Sequence, residues 1–284
     1  MVKFCRKFLV AIIVLALPFV FIGCNKIDKL KVKMGLMNED FQYIKDGRIN
    51  KIVIQSTRDK GFRFMVEDKK AISDMYDILS SAKKVNTKTT LNPDYIFEMY
   101  ENDESVHQFK YIVGVDKKSG GGNLYDEENN IYIVSGRLDN DIIKNFWNIR
   151  VPEKFSEVYY GSLIQVMKKY TGSYSPNSTI GIKLNDDVEA RKFLLSSDIE
   201  QFKEDIKKQK INAEIIEDKN KKYDIVMNIS TEGYKAFLYK GIVEFVDNTK
   251  NQNKKYYIWN EYDKGNWEIR IFPDKAPVIK DKQF

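Results

Sequence analysis

The sequence predicts an α+β fold: two tandem modules of antiparallel sheet with a packed helix, of β-β-α-β-β-β type, behind an N-terminal apolar signal helix. Three observations lead there. Apolar and polar residues alternate in many short stretches bounded by turn formers, the pattern of half-buried strands. Other stretches repeat apolar residues at i, i+3, i+4 and i+7 behind a polar capping residue, the pattern of amphipathic helices. A turn-rich run, Thr171-Gly172-Ser173-Tyr174-Ser175-Pro176-Asn177-Ser178, divides the strands into two sets.

Residues 1–23 read as an export signal, with Lys3, Arg6 and Lys7 ahead of an unbroken apolar run over residues 8–22. That run is shorter than the ~20 residues of a helical membrane span. Phe21-Ile22-Gly23-Cys24 resembles the lipobox of bacterial lipoproteins, with Phe21 where Leu is usual. The resemblance implies cleavage before Cys24, acylation of its sulfur by a fatty acid such as palmitate, and residence on the outer face of the cytoplasmic membrane. The competing reading is a plain export signal or uncleaved anchor with a chance cysteine. Residues 24–47 then read as a Lys-rich tether with a short helix near residues 39–44. Its Lys26, Lys29, Lys31 and Lys33 could meet anionic headgroups at about 1 kcal/mol each.

Charge and cysteine usage narrow the chemistry. Of the net charge of +6, three charges belong to the leader, and the remaining lysines are interspersed with carboxylates, which is no nucleic-acid footprint. Cys5 leaves with the leader and Cys24 carries the lipid, so a disulfide, a thiolate metal site and a cysteine nucleophile are all excluded from the folded part. The single histidine, His107, cannot build a His-based metal site and has no motif serine beside it for a triad. It is expected to be an ordinary surface-strand residue, and no cofactor is expected.

The first module, residues 48–152, opens with a strand at 49–55, a turn at 57–61 and a second strand at 62–66. Asp68 is placed to cap a helix whose Ile72, Met75, Tyr76 and Leu79 share one face and which should end near Lys83 or Lys84. Asn92-Pro93-Asp94 precedes a strand at 95–100, and Asn102-Asp103-Glu104 turns it into a partner at 106–115. The Gly-rich loop at 117–123 lacks the GxxxxGK[ST] pattern of a phosphate loop and reads as a flexible hairpin tip. Asp126, Glu127 and Glu128 lack calcium-loop spacing and read as solvated turn carboxylates before a strand at 131–134. Asp139 or Asn140 should cap a helix presenting Ile142, Ile143, Phe146 and Trp147 until Pro152 stops it.

The strand at 49–54, the hairpin-then-helix over 62–79 and Pro93-Asp94-Tyr95 before a strand resemble the YhfM-like domain of small Gram-positive lipoproteins. The resemblance covers about residues 45–150 and rests on hydrophobic spacing. It implies a location and a fold but no activity.

Residues 153–177 read as a connecting helix, weakened at Gly161, followed by a linker. The second module, residues 178–273, starts with strands at 179–184 and 192–195 around a turn. Ser197 is then placed to cap a helix through Gln209 with Ile199, Phe202 and Ile206 inward. Phe193-x-Leu195-x-Ser197 echoes Phe64-x-Val66-x-Asp68, which suggests a repeated module. Strands follow at 211–216, 223–229, 235–239, 242–246, 256–259 and 267–272, with Lys240-Gly241 as a turn or a bulge, and residues 274–284 read as a disordered tail.

Three features compete as sites, and the third, basic residues interleaved with aromatics as for single-stranded nucleic acid, is opposed by the near-balanced charge of an exported chain. Asp186, Asp187 and Glu189 could supply carboxylates for glycoside hydrolysis, but adjacent turn residues cannot straddle a sugar, so they read as a solvated turn. Tyr256, Tyr257, Trp259, Tyr262 and Trp267 could form a binding surface, with alternation placing Tyr257 and Trp259 on one face and Tyr256 on the other. The expected function is therefore a non-catalytic binding or structural module of the cell envelope. It would be held to the membrane through Cys24 and engage an envelope protein, peptide or wall component. The alternative is a cell-wall-modifying hydrolase that works through carboxylates.

Overall fold

The computed structural model describes residues 34, 36–114, 121–143, 152–173, 178–218 and 220–277. The leader with Phe21, Ile22, Gly23 and Cys24, the tether lysines, Phe146, Trp147, most of the Gly-rich loop, residues 174–177 and the end of the tail lie outside the described residues. Among those described, no helix is long and apolar enough to cross a membrane.

The first sheet contains β1 (Lys51–Ser56), β2 (Arg63–Val66), β3 (Lys83–Val85), β4 (Tyr95–Glu101), β5 (Glu104–Tyr111), β6 (Leu124–Tyr125) and β7 (Ile131–Ile133). Its order is β2-β1-β4-β5-β6-β7-β3, with antiparallel neighbours throughout. Helix α1 (Gln42–Lys45) and helix α2 (Lys69–Ser80) pack on it. The Asp68 carboxylate accepts the Ala71 N–H at 2.8 Å, capping α2 as its spacing predicts. Ile72, Met75, Tyr76 and Leu79 enter the core. The helix stops at Ser80, short of Lys83, because residues 83–85 form the edge strand β3.

Three sequence expectations change here. The tether was expected to run to residue 47, but Phe41 and Ile44 are buried in the first core, and the Asn38 amide donates to the Leu79 and Ala82 carbonyls at 3.0 and 2.8 Å. Gly121 and Gly122 are buried, not at a free tip: Gly122 donates to Thr87 and accepts from Thr89 at 2.8 and 3.0 Å. A Cβ on Gly122 would come 2.2 Å from Ile131 Cγ2, so only glycine permits that approach. After β7, residues Leu138–Ile143 form a π-helical turn, where an α-helical start was expected.

The second sheet contains β8 (Ile180–Lys183), β9 (Ala213–Ile215), β10 (Ile225–Lys235), β11 (Leu238–Asp247), β12 (Gln252–Asp263) and β13 (Asn266–Pro273). Its order is β13-β12-β11-β10-β8-β9. Strands β10, β8 and β9 are mutually parallel, and helix α4 (Ser196–Lys208) makes the crossover that a parallel pair requires. Helix α3 (Phe155–Ser173), expected as a connector, runs unbroken through Gly161. It contributes Val158, Tyr159, Leu163, Val166 and Met167 to the second core.

The two modules are thus not repeats, since one sheet is antiparallel and the other mixed. The strand expected at 192–195 is a 3-10 turn, Arg191–Phe193, whose Phe193 packs on the Phe155 and Tyr234 rings. The strand expected at 235–239 contains the β10–β11 turn, so β10 and β11 are each longer than the hydrophobic runs implied. The register shift near Lys240-Gly241 lies on β10, between Thr231 and Gly233. In the tail, Asp274 is bonded to Lys254 and to the Lys255 carbonyl.

One polar cluster joins the modules. Asp94, 1 % exposed, accepts the Arg58 guanidinium at 2.6 Å, the Val113 N–H at 2.9 Å and the Ser196 N–H at 2.8 Å. Arg58 also donates to the Leu194 carbonyl and the Ser196 hydroxyl, which in turn donates to the Asn92 carbonyl at 2.7 Å. The first residue of α4, expected to start behind Ser197, is therefore held by a carboxylate of the first module. Beside it, Leu195 packs against the first core.

Candidate functional site

The five aromatic residues singled out in the sequence are divided among three environments. Tyr256 and Trp267 are core residues, Tyr256 edge-on to Phe245 and Trp267 donating its indole N–H to the Glu153 carbonyl at 2.7 Å. Tyr257 and Trp259 lie half-buried on the opposite face, as alternation predicts. The Lys240 ammonium sits 3.7 Å from the Trp259 ring centroid, the indole N–H donates to Glu261 at 3.2 Å, and Arg270, cross-strand from Trp259, pairs with Glu261. One face of Trp259 is thus already engaged. Tyr262 stacks on Phe237 near the β10–β11 turn.

The carboxylates of the turn after β8 separate as well. Asp186 and Glu189 are exposed as expected, but Asp187 is 2 % exposed, not solvated. It accepts hydrogen bonds from the Tyr159 hydroxyl at 3.0 Å, the Thr231 hydroxyl at 2.7 Å and the Thr231 N–H at 3.1 Å. Thr231 also contacts the Tyr239 hydroxyl at 3.1 Å. Burial pushes both tyrosines far above their ordinary range, so they remain neutral donors. The network ties the turn, α3, β10 and β11 together.

His107 lies on β5, as expected, and stacks on Tyr43 with centroids 3.9 Å apart. Burial lowers its pKa. Nearby, Asp126 closes its turn by accepting from the Asn130 N–H and amide at 2.9 and 2.7 Å, while Glu127 and Glu128 are exposed. Among the described residues no group of three or more His, Cys, Asp or Glu side chains could hold a metal ion.

A deeper concavity lies elsewhere, between the modules, with a volume of ≈ 1140 Å³ among the described residues. Its first-module wall is Arg58 with Thr90, Leu91 and Asn92; its second-module wall comes from the ends of β8 and β9, the first turns of α4 and the loop before β10. The carboxyl ends of parallel strands are where α/β crossovers leave a crevice, because the connections diverge there to opposite sides of the sheet. Gly181 lets the outer wall close: a Cβ would lie 2.6 Å from Tyr223 Cγ. The lining is mixed. Leu91, Leu184, Ile199 and Ile216 give apolar surface, and Lys183, Lys221 and Lys222 give cationic groups at the opening. Lys203 bonds both Glu200 and Glu217 at 2.9 Å.

A smaller groove of ≈ 390 Å³ continues from this cleft along β9, sharing Lys203, Ile215, Glu217, Lys221 and Tyr223 with it. Neither hollow is legible in the sequence: the cleft joins Arg58 and Thr90 to Asn92 with second-module residues far along the chain, and the groove depends on how α4 packs beside β9. The one available signal was the strand-helix-strand order over residues 180–215, which allows a parallel crossover.

The cation that holds Asp94 also lines the cleft, so the joint between the modules and the concavity are one structural unit. Fold and cleft together define a two-module α+β protein with a concavity at the module boundary. Within it, residues 45–152 match the family model described as YhfM protein, which spans the first module and ends just before α3. No curated protein and no solved structure matches the chain.

Proposed function

We propose that this chain is a lipid-anchored envelope protein, held through an acylated Cys24 on the outer face of the cytoplasmic membrane, whose folded part is a non-catalytic binding module. The anchor rests on the order of basic head, apolar run and Phe21-Ile22-Gly23-Cys24. Two acyl chains suffice for stable anchoring where one is marginal, each buried CH₂ contributing about 0.8 kcal/mol.

The observation that carries the binding half is the ≈ 1140 Å³ cleft, built by both modules and mixing apolar walls with a few charged groups, as ligand sites do. A carboxylate hydrolase is the weaker reading. Glu200 and Glu217, the cleft carboxylates closest to such a role, hold one ammonium group, Lys203, between them in place of flanking an open space.

The test is site-specific photo-crosslinking in intact envelopes, with the crosslinker at exposed Asn185 in the cleft and, as control, at Asn253 on β12. A discrete adduct from position 185 alone supports the binding reading; equal labelling from both positions, or none from 185, overturns it. The anchor is tested separately through Cys24→Ala.

A further inference from the structure

We propose that the open edge of β9 receives an extended peptide as an additional strand of the second sheet, lying in the groove between β9 and α4 and running on into the cleft. This rests on the binding reading above and names its ligand class.

Among the described residues, strand β9 is the last strand of its sheet. On its inner edge, Ile180 donates to the Asn212 carbonyl at 3.0 Å and Ile216 donates to the Ile182 carbonyl at 2.9 Å. In a parallel ladder, alternate residues face the same neighbour, so Asn212, Glu214 and Ile216 turn toward β8. The N–H and C=O of Ile215 and the C=O of Ala213 therefore point to the open edge. Such groups recognise another main chain and little else.

The groove supplies the rest of a peptide site. Its walls are the three residues of β9 on one side and Lys203, Ile206 and Lys207, one face of α4, on the other. A strand in this position would pair for about 10 Å, given ~3.3 Å of rise per residue. Its far end would then enter the larger cleft, with which the groove shares five residues.

Charge selects among peptides. The carboxylates Glu214 and Glu217 are engaged by Lys221 and Lys203. Lys207 and Lys222 are exposed and, among the described residues, show no ion pair; on the opposite side only Asp218 is comparable. The occupant that fits is an extended segment with an apolar residue beside Ile215 and an acidic residue beside Lys207 or Lys222.

The experiment uses the full-length chain in detergent to select binders from a displayed random dodecapeptide library. The best peptide is then synthesised in two forms, N-methylated on alternate amides in one phase or the other. Strand addition predicts that one form binds at least about tenfold more weakly, having lost the main-chain hydrogen bonds to β9, and that the other is within about twofold of the parent. Lys207→Glu, on an exposed helical face, should weaken binding of an acidic peptide without changing the far-UV spectrum. Equal sensitivity of the two methylated forms, or indifference to both, would overturn strand addition while leaving a bound peptide as support for the binding reading. Failure to select any peptide overturns the strand proposal too, and the crosslinking experiment then judges the binding reading on its own.

Discussion

The Asp94 carboxylate accepts the backbone N–H of Ser196 at 2.8 Å, so a side chain of one module caps the first turn of a helix in the other. Burial pushes Asp94 up from the ordinary carboxylate value, and the guanidinium of Arg58 together with the Val113 and Ser196 amides pulls it back. Removing Arg58 would leave a buried carboxylate short of its cation. Arg58→Ala is expected to cost about 3 kcal/mol. Urea unfolding followed by far-UV signal would measure this, and a loss below about 1 kcal/mol would show that the cluster does not join the modules.

The Asp187 network makes a second stability prediction. An amide in place of the carboxylate turns one acceptor into a donor while Tyr159 and the Thr231 N–H still require acceptors. Asp187→Asn should therefore lose about 1–3 kcal/mol. Thr231→Val, which leaves the carboxylate in place but removes one donor, should fall in the same range. Thermal unfolding of both variants provides the check.

Gly122 offers a steric test. An alanine Cβ would press on Ile131 Cγ2 at 2.2 Å and on Val85 Cγ2 at 3.1 Å, inside the contact between β3 and β7. Gly122→Ala is expected to destabilise by at least about 1–3 kcal/mol, whereas Gly172→Ala, with nothing within 4 Å of the added atom, should not. A wild-type melting temperature for Gly122→Ala would refute the packing described for this loop.

His107 predicts a pH dependence. Its pKa is lowered by burial, with Arg48 lowering it further and Glu101, Glu128 and Asp126 opposing. A base whose folded pKa lies below its unfolded value of about 6.5 leaves the folded state binding fewer protons. Its contribution is therefore fully present above about pH 6.5 and is lost as the pH falls through the lowered folded value. Unfolding curves from neutral to mildly acidic pH should show that loss, and His107→Gln should flatten it.

For the anchor, metabolic labelling with an alkyne fatty acid should tag the wild-type chain and leave Cys24→Ala unlabelled. Label retained by the variant would refute acylation at that position.

Local signals in the sequence carried most of the first module. The Asp68 cap, the α2 face and the hairpin at Asn102-Asp103 are set within a few residues, and both turn residues adopt positive φ. The edge strand β3 was missed because Lys83 and Lys84 look like the charged end of a helix, and only pairing with β7 makes them a strand. In the second module, Asp187 reads as a surface turn because its partners Tyr159 and Thr231 stand 28 and 44 residues away. The cleft was illegible for the same reason: its first-module wall, Arg58 and Thr90 to Asn92, stands far along the chain from Lys183 and the rest of the second-module wall.

The family match over residues 45–152 contains Arg58 and Asp94 but not the helix that they hold. A polypeptide ending at residue 152 would bring an arginine and an acid to its surface with no helix to receive them, and Leu195 would leave a dent in its core. The boundary of the family match and the boundary of self-sufficiency are therefore different places in this chain. An isolated first module should behave as an interface awaiting its counterpart.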